Sequence, residues 1–141
     1  MLKGIPKIIS PELIKVLMEM GHGDEIVIAD GNFPAASCAK RLIRCDGHNV
    51  PELLDAILKF FPVDTDSKYS ASLMQVDIGE KLLPVIWEEY KKVLRKYESN
   101  FQEFNIAARQ DFYDKAKNAY AVIATSEPAL YANIIIRKGT V

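Results

Sequence analysis

Gly21-His22-Gly23-Asp24-Glu25-Ile26-Val27-Ile28-Ala29-Asp30 is the stretch on which the reading of this chain turns. Its centre, Ile26 to Ala29, is a short apolar run of strand length. Glycines and acids bound it on one side, and Asp30-Gly31-Asn32-Phe33-Pro34 on the other. An apolar run so punctuated predicts a strand over residues 25–30. The preceding segment has a different period. Ser10 is placed to cap a helix, Pro11 suits its first turn and Glu12 complements the dipole. Leu13, Ile14, Leu17 and Met18 then share one face, and Gly21 supplies the stop.

Helix followed by strand is the pattern that the rest of the chain repeats. Leu42 to Cys45 is a second, shorter strand candidate. Asn49 and Glu52 are spaced as a helix cap, with Leu53, Leu54, Ile57, Leu58 and Phe61 on one face and Pro62 as the stop. Residues 71–77 read as a third strand. A charged helix with a solvated face runs from about 84 to 97 and carries Trp87, the only tryptophan. Phe104 to Ala107 fits either strand or loop. Residues 110–119 form a helix with Phe112, Ala116 and Ala119 on one face. Two apolar runs follow, Tyr120 to Ala124 and Tyr131 to Ile136, separated by Thr125-Ser126-Glu127-Pro128. With no helix between them, these two are expected to form a hairpin. The alternation assigns the chain to the α/β class, a central sheet flanked by helices.

The 141 residues predict one compact domain over 1–141, long enough to fold without disulfides or metal. Eighteen basic and nineteen acidic residues leave a net charge of −1, which argues against nucleic acid or an anionic membrane held by bulk charge. No apolar run approaches the roughly 20 residues of a membrane helix, and residues 1–7 have no signal-peptide core. A cytoplasmic location is therefore expected. Cys38, Cys45 and His48 lack zinc-finger spacing, so the cysteines read as two reduced thiols and no metal is expected.

The chemistry-bearing residues gather at strand ends. His22 enters the first strand and Asp30 leaves it. Imidazole exchanges a proton near neutral pH, and the flanking glycines leave room for a close approach. A plain helix-to-strand turn containing a histidine fits the same run. Tyr131 and Asn133, two apart in an expected strand, would share a sheet face and offer a hydroxyl, a ring and an amide. That kit suits a polyhydroxylated ligand such as a sugar; an ordinary exposed face suits it too. Gly21-x-Gly23 precedes a strand and lacks a third glycine, so it is no dinucleotide fingerprint.

On particular motifs the chain resembles the RbsD/FucU family. The matches are Ile9-Ser10-Pro11-Glu12-Leu13, Glu19 to Ile26, Phe33-Pro34-Ala35, Ile43-Arg44, Asp46-Gly47, Phe112-Tyr113, Ala116, Thr125, Glu127, and Tyr131 with Asn133-Ile134. Gly-His-Gly-Asp-Glu is similar to the fucose branch, Tyr-Ala-Asn equally to the ribose branch. The resemblance implies a sugar mutarotase of compact α/β fold, or in the ribose branch a pyranase, acting on a free reducing monosaccharide without a cofactor. It implies His22 as the acid/base, Asp30, Arg109, Tyr131 and Asn133 as sugar-binding positions, and Tyr120 as an aromatic position near the end strands. It also implies self-association into rings, a decamer of two stacked pentamers in bacterial members, with sites near subunit contacts. Asn32 and Ala36 stand where familiar fucose-branch members look like they carry histidines, which bears on the preferred sugar. A sugar-binding or transport accessory protein would use the same pocket without speeding anomer exchange.

Overall fold

The computed structural model describes residues 1–141. Six strands form one mixed sheet in the order β2-β5-β1-β6-β3-β4. They are β1 Glu25–Ala29, β2 Leu42–Cys45, β3 Ala71–Met74, β4 Asn105–Ala107, β5 Ala121–Thr125 and β6 Ile134–Arg137. Five helices join them: α1 Pro11–Glu19, α2 Ala35–Cys38, α3 Val50–Leu58, α4 Ile86–Tyr97 and α5 Arg109–Asn118. The α/β class and the flanked central sheet are as the sequence leads one to expect. Of residues 104–107, which fitted strand or loop, Asn105–Ala107 form a strand at the sheet edge.

Local chemistry sets the element boundaries. The Ser10 side chain accepts from the Leu13 backbone N–H at 3.1 Å and starts α1. Glu52 Oε1 accepts from the Asn49 backbone N–H at 2.8 Å and starts α3.

The expected hairpin does not form. β5 and β6 are not neighbours, because β1 lies between them, pairing parallel with β5 and antiparallel with β6. The eight residues between β5 and β6 carry the chain over the end of β1 instead of turning it tightly. Side-chain layers cover both faces of β1, and β5 and β6 pair its two edges, so it is the central strand. The strand expected from Tyr131 begins at Ile134. Tyr131 takes a left-handed backbone with φ 55°, so it and Asn133 lie in a turn and do not alternate on a sheet face.

β2, β5, β1, β3 and β4 run in one direction and β6 runs against them. One edge of the sheet therefore collects five strand C-termini and the start of β6. In open α/β sheets ligands bind beyond the carboxyl ends of the strands, at such an edge.

Alternation along the strands divides the core. Ile26, Ile28, Ile123, Ile134 and Ile136 face the layer built by Leu13, Leu53, Ile57, Tyr90 and Leu94. Val27, Ala29, Val122, Ala124 and Ile135 face Phe33, Phe112 and Ala116. The second layer is rich in alanine, which brings α5 close to the sheet and leaves Phe112 as its main filling. No helix is long and apolar enough to cross a membrane.

Candidate active site

Asp30 follows the last residue of β1 and is 6% exposed. Its backbone N–H donates to Asn133 Oδ1 at 2.7 Å, and its Oδ1 accepts from the Asn32 N–H at 2.9 Å. Burial pushes the Asp30 carboxyl above the ordinary carboxylate value, against the opposing pull of hydrogen bonds from the Asn32, Ala132 and Phe33 backbone and the Asn133 side chain. One of its oxygens is already fixed by the loop that follows.

The turn 131–133 is secured residue by residue. Trp87 Nε1 donates to the Tyr131 carbonyl at 2.8 Å. Tyr90 Oη donates to the Ala132 carbonyl at 2.6 Å. Asn133 is fixed by Asp30, as above. A left-handed tyrosine costs of the order of 1–3 kcal/mol and persists only where its surroundings over-determine it; α4 provides that support. The Tyr131 hydroxyl accepts from the Asp77 N–H at 3.3 Å, and its ring borders a cavity of about 290 Å³ shared with Val76, Pro84, Ile86 and Leu130. Beneath the same edge, Thr125 Oγ1 donates to the Ala29 carbonyl at 2.7 Å and accepts from the Glu127 N–H at 3.1 Å. The Glu127 backbone carbonyl accepts from the Gly31 N–H at 2.9 Å. A Cβ on Gly31 would stand 3.3 Å from that oxygen, so glycine suits the loop that leaves Asp30.

Arg109 opens α5, two residues beyond the end of β4, and is exposed. It shares the edge with Asp30 but stands three strand spacings away, roughly 14 Å along the sheet. Asp30, Tyr131 and Asn133 are therefore brought together, and Arg109 flanks them.

His22 is at the other edge. It precedes β1, whereas Asp30 follows it, and five strand residues put at least roughly 16 Å between them. Its side chain is half exposed, and Nε2 lies 3.6 Å from Oδ1 of the buried Asp64. Asp64 Oδ2 lies 3.0 Å from Arg137 Nε. One atom each of His22, Asp64 and Asp66 converge within 4.8 Å, as metal ligands would. The Arg137 guanidinium already supplies the positive charge there, and the group reads as an ion-pair cluster. Tyr120 is also at this edge, half-buried, with its hydroxyl donating to Glu19 Oε2 at 3.0 Å and Arg41 stacked 4.0 Å from its ring centroid. It is not beside Asp30, and its half-buried ring packs against the core. Cys38 and Cys45 are free, buried thiols.

Asp64 is held down to about 2, chiefly by the Ser67 hydroxyl and then by the Asp66 and Ser67 N–H groups, with His22 adding a coulombic contribution. Its folded value is below the unfolded one, so its contribution to stability is present above about pH 4 and is lost as pH falls through about 2. Urea midpoints at pH 5 and pH 2.5 are expected to fall further for wild type than for Asp64→Asn. Asp30, shifted the opposite way, is common to both proteins and drops out of the difference. Equal falls would show that Asp64 gains nothing from its partners.

The chain matches the RbsD / FucU transport protein family over residues 3–141. It belongs to that family. Among its relatives, "Fucose mutarotase" of Danio rerio is 47% identical, the alignment covering 99% of this chain and 94% of that protein. The Homo sapiens "Fucose mutarotase" is 46% identical, with 98% and 93% covered. The crystal structure of the fucose mutarotase in complex with L-fucose from Streptococcus pneumoniae superposes with a TM-score of 0.95 at 52% identity, covering 99% of both chains. Within this RbsD/FucU chain, Trp87 and Tyr90 are the supports of the 131–133 turn that sequence reasoning missed. They sit on a helix whose charged face dominates its pattern, and only their aromatic hydroxyl and indole N–H hinted that partners were needed.

Proposed function

We propose that the chain is an L-fucose mutarotase that interconverts the α and β anomers of the free sugar. The observation that carries this reading is the similarity to the fucose-bound Streptococcus pneumoniae mutarotase, at 52% identity and TM-score 0.95. The geometry of the C-terminal edge supports it. Asp30 accepts hydrogen bonds from sugar hydroxyls, Asn133 and Tyr131 frame the ring, and Arg109 donates from the flank.

The reaction moves protons only. A base removes the anomeric hydroxyl proton as the bond from C1 to the ring oxygen breaks, and an acid protonates that oxygen. The aldehyde rotates about C1–C2 and closes on its other face. His22 is the main proton shuttle, with Tyr131, Asp30 or a water at the opposite terminus. Because His22 is a strand's length from Asp30, the His22 that serves a given sugar comes from a second copy of the chain. Exposed Ile78, Leu82, Leu83, Val85 and Leu130 next to the Tyr131 cavity support burial of that edge by another copy. Ring assembly, two stacked pentamers on the family resemblance, satisfies the requirement, and sedimentation measures its size.

Saturation-transfer NMR on L-fucose tests the activity directly. Added protein is expected to raise the exchange rate between anomers well above the buffer rate, with D-ribose responding less. Exchange at the buffer rate would overturn the reading. L-fucose binding by calorimetry with unaccelerated exchange would assign a sugar-binding accessory role instead.

A further inference from the structure

We propose that Glu127 is a positioning residue for the sugar-binding edge, its buried carboxylate tying the start of α3 to the turn that presents Tyr131 and Asn133. The inference rests on the reading of Asp30, Tyr131 and Asn133 as the groups that hold the sugar.

Glu127 lies between β5 and β6 and is 5% exposed. A buried charge is ordinarily paired with an opposite one. Glu127 has no ion pair with a lysine, arginine or histidine, and backbone donors take the cation's place. Oε2 accepts from the Val50 N–H at 3.2 Å and Oε1 from the Ala129 N–H at 3.0 Å. Val50 is the first residue of α3, so its N–H has no partner within the helix. Glu52 serves the neighbouring Asn49 N–H, which leaves Val50 to Glu127. The carboxylate also faces the positive end of the α3 dipole.

The backbone of the same residue holds the other half of the site. Its carbonyl accepts from the Gly31 N–H, and its N–H donates to Thr125 Oγ1, which in turn donates to the Ala29 carbonyl. The residues on either side of Asp30, and Ala129 ahead of Tyr131, are thus all bonded to Glu127 or to Thr125. The Ser126 N–H donates to the His48 carbonyl at 3.0 Å and draws the segment ahead of α3 to the same point.

Two N–H groups from separate segments meet the two terminal atoms of this side chain, and both need an acceptor. A carboxylate supplies two. Glutamine supplies one, and its amide nitrogen would face the other N–H donor to donor. The position thus demands the charge and not only the volume. A capping box already starts α3; what Glu127 adds is the bond across to the turn.

Anomer exchange measured by NMR over a range of L-fucose concentrations, together with urea midpoints, tests this. Glu127→Gln is expected to raise KM roughly 10-fold, the scale of one misaligned hydrogen bond to the sugar. It should leave kcat within about threefold, because His22 is at the other end of β1. Glu52→Ala frays the same helix start by freeing the Asn49 N–H but leaves Glu127 in place. It is expected to lower the urea midpoint and to keep the wild-type KM. Hydrogen exchange on wild-type protein needs no variant to fold. Saturating L-fucose is expected to slow the Val50 and Ala129 amides in step with Gly31. Protection of Gly31 that does not reach Val50 and Ala129 would overturn the proposal. So would a folded Glu127→Gln with wild-type KM, or a KM raised equally by Glu52→Ala, which would make Glu127 a helix cap only. Wild type that does not accelerate fucose exchange would instead overturn the sugar reading, and the proposal with it.

Discussion

His22→Ala and Asp30→Asn, each nearly inactive alone, are expected to restore fucose exchange when dissociated, mixed and reassembled. A positioned acid/base is worth roughly 10²–10⁴-fold, which is the loss expected for His22→Ala. Asp30→Asn removes charge-assisted bonds to the sugar, each worth about 1.5–3 kcal/mol, and so costs roughly 10- to 10²-fold or more. The two defects lie at opposite ends of β1 and cannot meet in one chain. If a reaction centre takes His22 from one copy and Asp30 from another, random assortment of equal amounts gives about a quarter of the centres both intact groups. The exchange rate of the mixture should then rise to about that fraction of wild type. A mixture no faster than its components would show that no centre is shared between copies, and with it the role of His22 would fall.

Phe112→Ala is expected to cause the largest loss of stability among the single substitutions considered. Phe112 is fully buried in the alanine-rich layer and meets Phe33 edge-to-face, the ring centroids 6.2 Å apart. Aromatic-to-alanine truncations in cores cost about 3–5 kcal/mol, and small neighbours such as Ala29, Ala116 and Ala124 have no side-chain length with which to collapse into the gap. Phe33 also stacks on Tyr113, at 5.3 Å and 12°, and it ends the loop that leaves Asp30. Lost packing should therefore loosen the sugar-binding edge before the chain unfolds. Denaturant titration checks the first effect. The KM for fucose, expected to rise while His22 chemistry stays intact, checks the second. A loss below about 1 kcal/mol would mean that α5 closes onto the sheet without Phe112.

Most of the architecture could be read from the residues because short-range rules set it. Ser10, Asn49 and Glu52 announce two helices, and the apolar runs 26–29 and 121–124 announce two strands. What the residues do not announce is strand order. The expected hairpin failed because a short polar connector says only that two strands are near in sequence, while the long-range pairing of β1 with both of them decides which strand lies between. Tyr131 and Asn133 were legible as a pair through their chemistry, although the shared strand face expected of them does not exist and Asn133 is tied to Asp30 instead. That link is a side-chain to backbone bond across a turn. The ion-pair cluster of His22, Asp64 and Arg137 could not be found at all, since it depends on a fold-back between residues 62–64 and 137–139. The separation of His22 from Asp30, by contrast, was already present as arithmetic: a five-residue strand is too long for the two to touch.

β6 has only four residues, yet Asn133 directly precedes it and Arg137, the partner of Asp64, ends it. In a closed ring, a short rigid rod would thus join sugar capture in one chamber to proton delivery in the next. One doubly defective chain would then silence two adjacent chambers, so that damage would grow faster than its gene dosage.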